Sequence, residues 1–262
     1  MDSDDSGMDT HVYKGGEATT TGKTLAGLPY RLVYAAYRRL PSWCHALVGK
    51  SRVLRRLKVS VRNLLARHAS RGDIYNSSYY AYVDAEATRS AGVIIGFIVE
   101  DARPQSLVDV GCGTGALLCE ARRHGITARG YEYSPAALAV CRSRGLDVRS
   151  FDLEADSALA LDDRPDVAVC LEVAEHIPPE AGDRLVVLLA NLSAVVYFSA
   201  AVPGQGGGVD HINEQLHEYW IERFSRQGLQ IDHRRTAAMR GALLAGGAAG
   251  FYTANVMVFS RP

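Results

Sequence analysis

The sequence predicts an α/β domain built on a mostly parallel β-sheet. From Gln105 onward, short apolar runs alternate with amphipathic stretches, as strands and helices do in a sheet that is covered on both faces. The first apolar run ends in the turn "GCGTGA". A glycine-rich turn at this place lets a ligand approach the backbone at the carboxyl end of the sheet.

The residues before Gln105 are predicted to form an extension. Residues 1–27 are rich in Asp, Gly and Thr, and we expect an acidic, disordered tail. The stretch "GGEATTTGKT" in this tail has one residue too many before its Gly-Lys pair, which excludes a phosphate-binding P-loop. Residues 28–80 are predicted to form basic helices and a lid, "YNSSYYAY". A further helix is expected to end near Asp101.

Residues 81–262 are predicted to form the domain itself, in a regular order of elements. "SLVDV" is the first strand, "GALLCEARRHG" the first helix and "ITARGYEY" the second strand. Ser134 and Pro135 open the helix "SPAALAVCRSRG". The strands "LDVRS" and "PDVAVCLE" come next, then a helix within "PPEAGDRLVVLLANLS" and the strand "AVVYFSAAV". After a Gly-rich loop we expect the helix "NEQLHEYWIERFSRQG" and two closing strands, "LQIDHRRT" and "YTANVMVFS".

Charge is distributed unevenly along a chain whose formal net charge is zero. Between Arg31 and Arg71 there are eleven Lys and Arg residues and no Asp or Glu. This basic stretch suits three partners: the acidic body of the same chain, an anionic membrane surface with a lipid-linked acceptor, or nucleic-acid phosphates. We favour packing on the body. We do not expect a nucleic-acid partner, because no RNA-binding module is recognisable.

Composition indicates a globular protein of a reducing compartment. Hydrophobic residues make up 47% of the chain and charged residues 22%, which is ordinary for a soluble domain. The five cysteines form no C-x-x-C pair, which argues against a disulfide framework. The first residues do not resemble a secretory signal, and no apolar run approaches the roughly 20 residues of a membrane span. We therefore expect a cytoplasmic protein.

The turn fits two kinds of ligand when it is considered alone, a dinucleotide or another adenosine cofactor. Glu132 lies 21 residues after Gly111, where a carboxylate accepts hydrogen bonds from ribose hydroxyls in either case. All four lysines precede residue 59, so the domain has no Tyr-x-x-x-Lys pair for hydride transfer and no phosphate-binding lysine. Asp109 lies two residues before Gly111. A buried acid there disfavours a pyrophosphate and suits a cationic amino-acid group.

Four motifs together resemble the class I S-adenosylmethionine-dependent methyltransferases: "VDVGCGTG", "GYEYSP", "FDLEAD" and "DVAVCLEVAEHIP". The resemblance implies a Rossmann-like, seven-stranded sheet with an antiparallel last strand. It also implies that S-adenosylmethionine is the cofactor and S-adenosylhomocysteine the product. The glycines Gly111, Gly113 and Gly115 and the acid Asp109 would then surround the methionine moiety, and Leu171 would close that side.

The same resemblance implies residues for the adenosine moiety. Glu132 would bind the ribose hydroxyls, and Tyr133 would cover one face of the adenine. Asp152 and Leu153 would contact the adenine edge. These roles are carried over position by position onto the motifs quoted above.

Acids and histidines collect after the fourth and fifth predicted strands, and three functions remain open for them. Glu172, Glu175, His176 and His211 suit a divalent cation, since small-RNA 2′-O-methyltransferases are similar here. Alternatively, one histidine acts as a general base on the acceptor. Finally, Glu175 and His176 cap the next helix and hold the loop. We favour no metal, take His211 as the base, with His176 and Glu172 as further catalytic candidates, and expect His217 to be packed or exposed.

We therefore expect methyl transfer to a small-molecule hydroxyl, with a sugar or a secondary metabolite as acceptor. This choice depends on the resemblance of "GGGVDHINEQLHEYW" to methyltransferases of glycan and natural-product pathways. Two alternatives remain. One is a metal-dependent RNA 2′-O-methyltransferase, and the other is a methyltransferase-like binding module without catalytic activity.

Overall fold

The structure is a computed structural model that describes residues 74–156, 164–205 and 208–262. The predicted acidic tail, the P-loop-like stretch and the basic helices lie outside the described residues. The predicted boundary at residues 80 and 81 falls inside a continuous helix, Ser77–Ala102.

The described residues form seven α-helices and seven β-strands. The helices are α1 (Ser77–Ala102), α2 (Ala116–Arg123), α3 (Pro135–Ser143), α4 (Pro179–Leu192), α5 (His217–Arg226), α6 (His233–Ala245) and α7 (Gly250–Asn255). The strands are β1 (Ser106–Val110), β2 (Thr127–Glu132), β3 (Asp147–Ser150), β4 (Val167–Leu171), β5 (Val195–Ser199), β6 (Gln230–Ile231) and β7 (Met257–Ser260). A 3₁₀ turn, Ala174–His176, follows β4.

The strands form one sheet in the order β3-β2-β1-β4-β5-β7-β6. Strands β1 to β5 are parallel to one another, and β7 is antiparallel to both β5 and β6. This confirms the predicted seven-stranded sheet with an antiparallel last strand. The strand order reverses between β1 and β4, and ligands of open α/β sheets bind at such a reversal.

Apolar side chains fill both faces of the sheet. On one face, Phe198 packs against Trp220 and Phe224 of α5, and Phe224 stacks on Phe259 of β7. On the other face, Ile95 and Ile98 of α1 pack together with Met239 of α6. Neighbouring residues of β5, such as Tyr197 and Phe198, belong to opposite faces because side chains alternate along a strand. Because both faces are covered, a ligand can reach the sheet at the ends of its strands.

The C-terminal prediction was wrong in two places. In "LQIDHRRT" only Gln230–Ile231 is a strand, because Asp232 accepts a hydrogen bond from the Arg235 amide and caps α6. In "YTANVMVFS" the first residues belong to α7, and β7 begins at Met257. Phe251, Tyr252 and Thr253 of α7 are residue types that favour strands in general, but the packing of α7 on α6 overrides that preference.

Within the described part of the chain, none of the helices combines the length and the apolar character that a membrane crossing requires.

Candidate active site

Candidate residues from four strands meet at the carboxyl end of the sheet. Asp109 lies near the end of β1, Glu132 ends β2 and Leu171 ends β4. Because β1 pairs in parallel with both β2 and β4, these three residues come together where the strand order reverses. Asp152 and Leu153 follow β3, which is the next strand outward.

The glycine turn between β1 and α2 has three residues in the left-handed region. Gly111, Gly113 and Gly115 have φ angles of 80°, 53° and 78°. A Cβ at Gly111 would lie 2.4 Å from Cγ2 of Val173, so this glycine is required by packing against the segment after β4. At Gly113 the nearest described atom would be Cε1 of Tyr80, at 3.9 Å. The backbone at Gly113 is therefore the part of the turn that a ligand can approach.

Glu132 is buried and holds the turn through its carboxylate. The Gly113 amide donates to Oε2 at 3.0 Å, and the Ser134 amide donates to Oε1 at 2.8 Å. The Tyr80 hydroxyl donates to Oε1 over a longer distance, 3.3 Å. Burial raises the pKa of Glu132, and the Ser134 and Gly113 amides oppose this rise.

Asp109 is a second buried acid in the same pocket. Burial raises its pKa to about 7, and the nearby charge of Glu132 adds to the rise. Because Asp109 and Glu132 are both buried, they favour a ligand that carries positive charge close to Asp109. The sequence-based expectation of a cationic amino-acid group beside Asp109 stays a prediction.

The other predicted cofactor residues lie around this pocket. Tyr133 follows Glu132, and its ring meets the Tyr75 ring edge-on, with centroids 5.8 Å apart. An oxygen of Asp152 accepts a hydrogen bond from the Glu154 amide at 2.9 Å, which shapes the turn after β3. Leu153 and Leu171 pack at the borders of the two apolar clusters on opposite faces of the sheet.

Glu175, His176 and His211 form a compact cluster beside the pocket. Glu175 and His176 lie in the 3₁₀ turn after β4, and His211 lies in the loop between β5 and α5. One carboxylate oxygen of Glu175 and one ring nitrogen of each histidine all lie within 4.8 Å of one another. The structure thus brings together two stretches that are separate in the sequence, while His217 is not a member of this cluster.

Glu175 does not cap the next helix. Helix α4 begins after Pro178 and has no side-chain cap. The loop is instead held by the backbone carbonyl of Glu175, which accepts hydrogen bonds from the amides of Ile212 (2.9 Å) and Asn213 (3.0 Å). The carboxylate is fully buried, and no donor among the described residues meets hydrogen-bond geometry at either oxygen. Burial raises the pKa of Glu175 well above its usual range, and the nearby charge of Glu172 adds to the rise.

His211 is oriented by a carboxylate. Its Nδ1 lies 2.8 Å from Oε1 of Glu214. A carboxylate oxygen only accepts, so Nδ1 carries the proton and Nε2 carries the basic lone pair of the neutral ring. The loop around His211 is fixed because the Asn213 side-chain amide donates to the carbonyl of Ala174 at 3.1 Å.

Glu172 has an unusual backbone conformation, with a φ angle of 57°. Such a conformation costs about 1–3 kcal/mol in a residue other than glycine and is concentrated at functional sites. Asn255 donates to both carboxylate oxygens of Glu172, at 3.1 and 3.3 Å. Burial raises the pKa of Glu172 to about 7, while the bonds from Asn255 and Ser199 oppose the rise.

Several residues near the site have no signal that the sequence analysis identified. Tyr75 lies within the predicted lid, and its hydroxyl is 3.0 Å from Nδ1 of His176, 101 residues away. Asn255 lies in a stretch that was predicted as a strand. Glu214 was recognisable in principle, because it follows His211 by three residues in "HINE".

An ion pair fixes α1 to the glycine turn. Arg144 at the end of α3 pairs with Asp84 of α1, with Nη2 and Oδ2 2.8 Å apart. Arg144 also donates to the carbonyl of Thr114 at 2.9 Å, and the Thr114 hydroxyl donates to Asp84. The helix that carries the lid residues is thereby connected directly to the turn.

Comparison with known proteins identifies the family. A family described as a methyltransferase domain matches residues 84–236. The chain is 31% identical over 156 residues to a ubiquinone biosynthesis O-methyltransferase of Ralstonia nicotianae. This match covers 53% of the chain and 65% of the relative, so the chain spans slightly less than two thirds of that relative's length.

Solved structures share the fold at low sequence identity. Magnesium protoporphyrin IX methyltransferase of Synechocystis, with bound S-adenosylhomocysteine, superposes with a TM-score of 0.52 and 14% identity, covering 69% of this chain and 85% of that one. An amino pentose methyltransferase from Micromonospora echinaspora superposes with a TM-score of 0.51 and 16% identity, covering 70% and 97%. With its sheet order, its glycine turn and its family match, this chain belongs to the methyltransferase-domain family and has the class I, S-adenosylmethionine-dependent methyltransferase fold.

Proposed function

We propose that this protein transfers a methyl group from S-adenosylmethionine to a hydroxyl group of a small molecule. The observation that carries the proposal is the meeting of two sites at the end of β4. One is the pocket of Asp109, Glu132 and Gly113, and the other is the cluster of Glu175, His176 and His211. The first suits an adenosine cofactor with a positive charge, and the second suits an acceptor that must lose a proton.

The described residues fit the cofactor. Glu132 has acceptor capacity for ribose hydroxyls, Asp109 is a buried acid for the cationic end, and Gly113 leaves its backbone accessible. The cofactor supplies a methyl group on a positively charged sulfur, which is already activated for attack. The contribution of the protein is therefore to hold the acceptor oxygen in line with that methyl group and to remove a proton.

We assign proton removal to His211. The acceptor oxygen forms a bond to the methyl carbon, the bond from sulfur to that carbon breaks, and the hydroxyl proton passes to Nε2 of His211. Glu214 keeps Nδ1 of His211 protonated and stabilises the imidazolium that results. A sugar or a secondary metabolite is the acceptor class that we propose. The activities of two similar proteins, a ubiquinone biosynthesis O-methyltransferase and an amino pentose methyltransferase, support a small-molecule acceptor.

A second candidate is a metal-dependent 2′-O-methyltransferase of RNA, and one observation favours it. The buried Glu175 side chain meets no donor with hydrogen-bond geometry among the described residues, so its charged form is costly unless a cation compensates the charge. Glu175, His176 and His211 would hold a divalent cation, which would lower the pKa of the acceptor hydroxyl. In this arrangement His211 is a ligand rather than the base.

The primary test measures cofactor binding and turnover separately. S-adenosylhomocysteine should raise the melting temperature of the protein, and S-adenosylmethionine should be consumed with one or more members of a panel of glycosides and phenols. His211→Gln should reduce turnover at least tenfold and leave cofactor affinity within twofold, whereas His233→Gln, on an exposed residue, should change neither. Binding without turnover on any hydroxyl would instead support a binding module without catalytic activity.

Chelation distinguishes the two candidates. If His211 is the base, turnover should be the same before and after dialysis against a chelator. Loss of turnover that is restored by magnesium or manganese would replace the first candidate with the second. Binding of RNA that falls steeply with salt would add the nucleic-acid substrate.

A further inference from the structure

Tyr75 connects the cofactor side of the site to the acceptor side. The residue is buried, and its backbone carbonyl accepts a hydrogen bond from the Ser134 hydroxyl at 3.0 Å. Its ring meets Tyr133 and His176 edge-on, with centroids 5.8 and 5.9 Å apart. The position of its hydroxyl is therefore fixed from both sides.

The hydroxyl of Tyr75 takes part in a row of hydrogen bonds. Which atom donates in each bond follows from the groups that can only accept. Oδ2 of Asp210 is 3.4 Å from this hydroxyl, and as a carboxylate oxygen it only accepts, so Tyr75 donates to it. The Tyr75 oxygen is 3.0 Å from Nδ1 of His176 and then acts as acceptor. Nδ1 also lies 3.3 Å from the backbone carbonyl of Asp210, which likewise only accepts. Both contacts of Nδ1 require a proton on that nitrogen.

We propose that Tyr75 and Asp210 are positioning residues that hold His176 in one tautomer, with the proton on Nδ1 and the lone pair on Nε2. The proton order is Asp210 carboxylate, Tyr75 O–H, His176 Nδ1–H. In a neutral histidine, the hydrogen-bond partner of one ring nitrogen determines whether the other nitrogen carries the basic lone pair. Tyr75 and Asp210 thus keep the proton on Nδ1 of His176, as Glu214 keeps the proton on Nδ1 of His211. The two imidazoles of the cluster therefore share one tautomer.

Tyr75 belongs to the stretch predicted as a lid, and as a positioning residue it has a chemical role. Tyr75 lies 101 residues before His176, so the segment before α1 supplies an orienting group to the acceptor site. A histidine with a fixed Nε2 lone pair serves an acceptor hydroxyl or a cation, and removal of the partner that orients a metal-binding histidine costs about 10–100-fold in metal affinity or activity. The effect on turnover rests on the proposed function. The tautomer itself does not.

The test reads the tautomer directly. Imidazole ¹⁵N spectra of the protein with S-adenosylhomocysteine, with the His176 signals identified from a His176→Gln sample, should show a protonated Nδ1 and an unprotonated Nε2 at neutral pH. Tyr75→Phe keeps the ring and removes the hydroxyl, and it should shift His176 toward a mixture of tautomers. Tyr219→Phe removes a hydroxyl on α5 and should leave the His176 signals unchanged.

A second variant guards against misfolding of the first. Asp210 has a φ angle of 58°, a conformation that asparagine also tolerates, so Asp210→Asn should keep the backbone and shift the His176 signals in the same direction by a smaller amount. A proton on Nε2 in the unmodified protein, or unchanged signals in both variants, would overturn the proposal.

Turnover provides the second readout. Tyr75→Phe should lower kcat at least tenfold with S-adenosylhomocysteine affinity within twofold. By contrast, Tyr80→Phe removes the bond to Glu132 and should change that affinity without changing the His176 signals. Equal kcat values for Tyr75→Phe and the unmodified protein would refute the catalytic part. Since the spectra need no acceptor, failure of the proposed function would be recognised separately.

Discussion

Asp109 is a residue whose ionisation links the site to the stability of the protein. Burial raises its pKa to about 7, so the folded chain binds a proton that the unfolded chain releases near pH 4. Between these two values the unfolded state binds fewer protons, and the free energy of unfolding therefore falls as pH rises. Each pKa unit corresponds to about 1.4 kcal/mol, which limits the effect to roughly 4 kcal/mol.

Replacing Asp109 by Asn should weaken this decrease of the free energy of unfolding with rising pH. Without the ionisable group, the free energy of unfolding should depend less on pH between 5 and 7 than it does in the unmodified protein. Urea unfolding at several pH values measures the difference. Parallel curves for the two proteins would show that Asp109 titrates normally.

Some residues of the site could be predicted from the sequence, and others could not. That the acids and glycines of the site meet at the ends of β1 and β2 was predictable, because each stands at a fixed place relative to a predicted strand. Tyr75 and Asn255 were not, because their partners His176 and Glu172 lie 101 and 83 residues away and only the fold brings them together. Glu214 was within reach, since it lies close to His211 in the sequence.

At the scale of elements, the connection between α1 and the glycine turn determines how well the turn is held. Asp84 and Arg144 are about 30% exposed, so their pair contributes on the order of 1 kcal/mol, and the Thr114 hydroxyl adds a neutral hydrogen bond. Asp84→Asn should therefore weaken S-adenosylhomocysteine binding about fivefold in calorimetry.

A matched variant tests whether this effect is specific. Asp147 pairs with Arg129 between β3 and β2, 2.7 Å apart and away from the turn. Asp147→Asn removes a comparable ion pair, and it should leave S-adenosylhomocysteine affinity unchanged. Equal losses of affinity in the two variants would mean that α1 does not act through the turn.

The elements themselves were predictable to different degrees. Strands β1, β4 and β5 were found because each is a short apolar run bounded by a turn signal, and those signals are local. Helix α6 was overlooked although its Ala, Arg, Leu and Met residues favour helices, whereas α7 contains Phe, Tyr and Thr, which favour strands, and is held as a helix by its packing on α6. Such tertiary effects are not visible in a window of a few residues.

At the scale of the whole molecule, the basic stretch from Arg31 to Arg71 lies outside the described residues and keeps its prediction. We expect its eleven positive charges to be matched by the acidic body of the chain. The full-length protein should then show no salt-dependent sedimentation with vesicles that contain 30% anionic lipid. Sedimentation that disappears above physiological salt would instead indicate a membrane surface as its partner.

The central claim is that the pocket of Glu132, Asp109 and the glycine turn binds an adenosyl cofactor, and titration calorimetry with S-adenosylhomocysteine tests it most directly. We predict one binding site in the unmodified protein. Glu132→Ala should weaken binding about 100-fold or more, because two hydrogen bonds to a charged group contribute about 1.5–3 kcal/mol each. Absence of binding heat in the unmodified protein, or the same affinity in Glu132→Ala, would contradict the account.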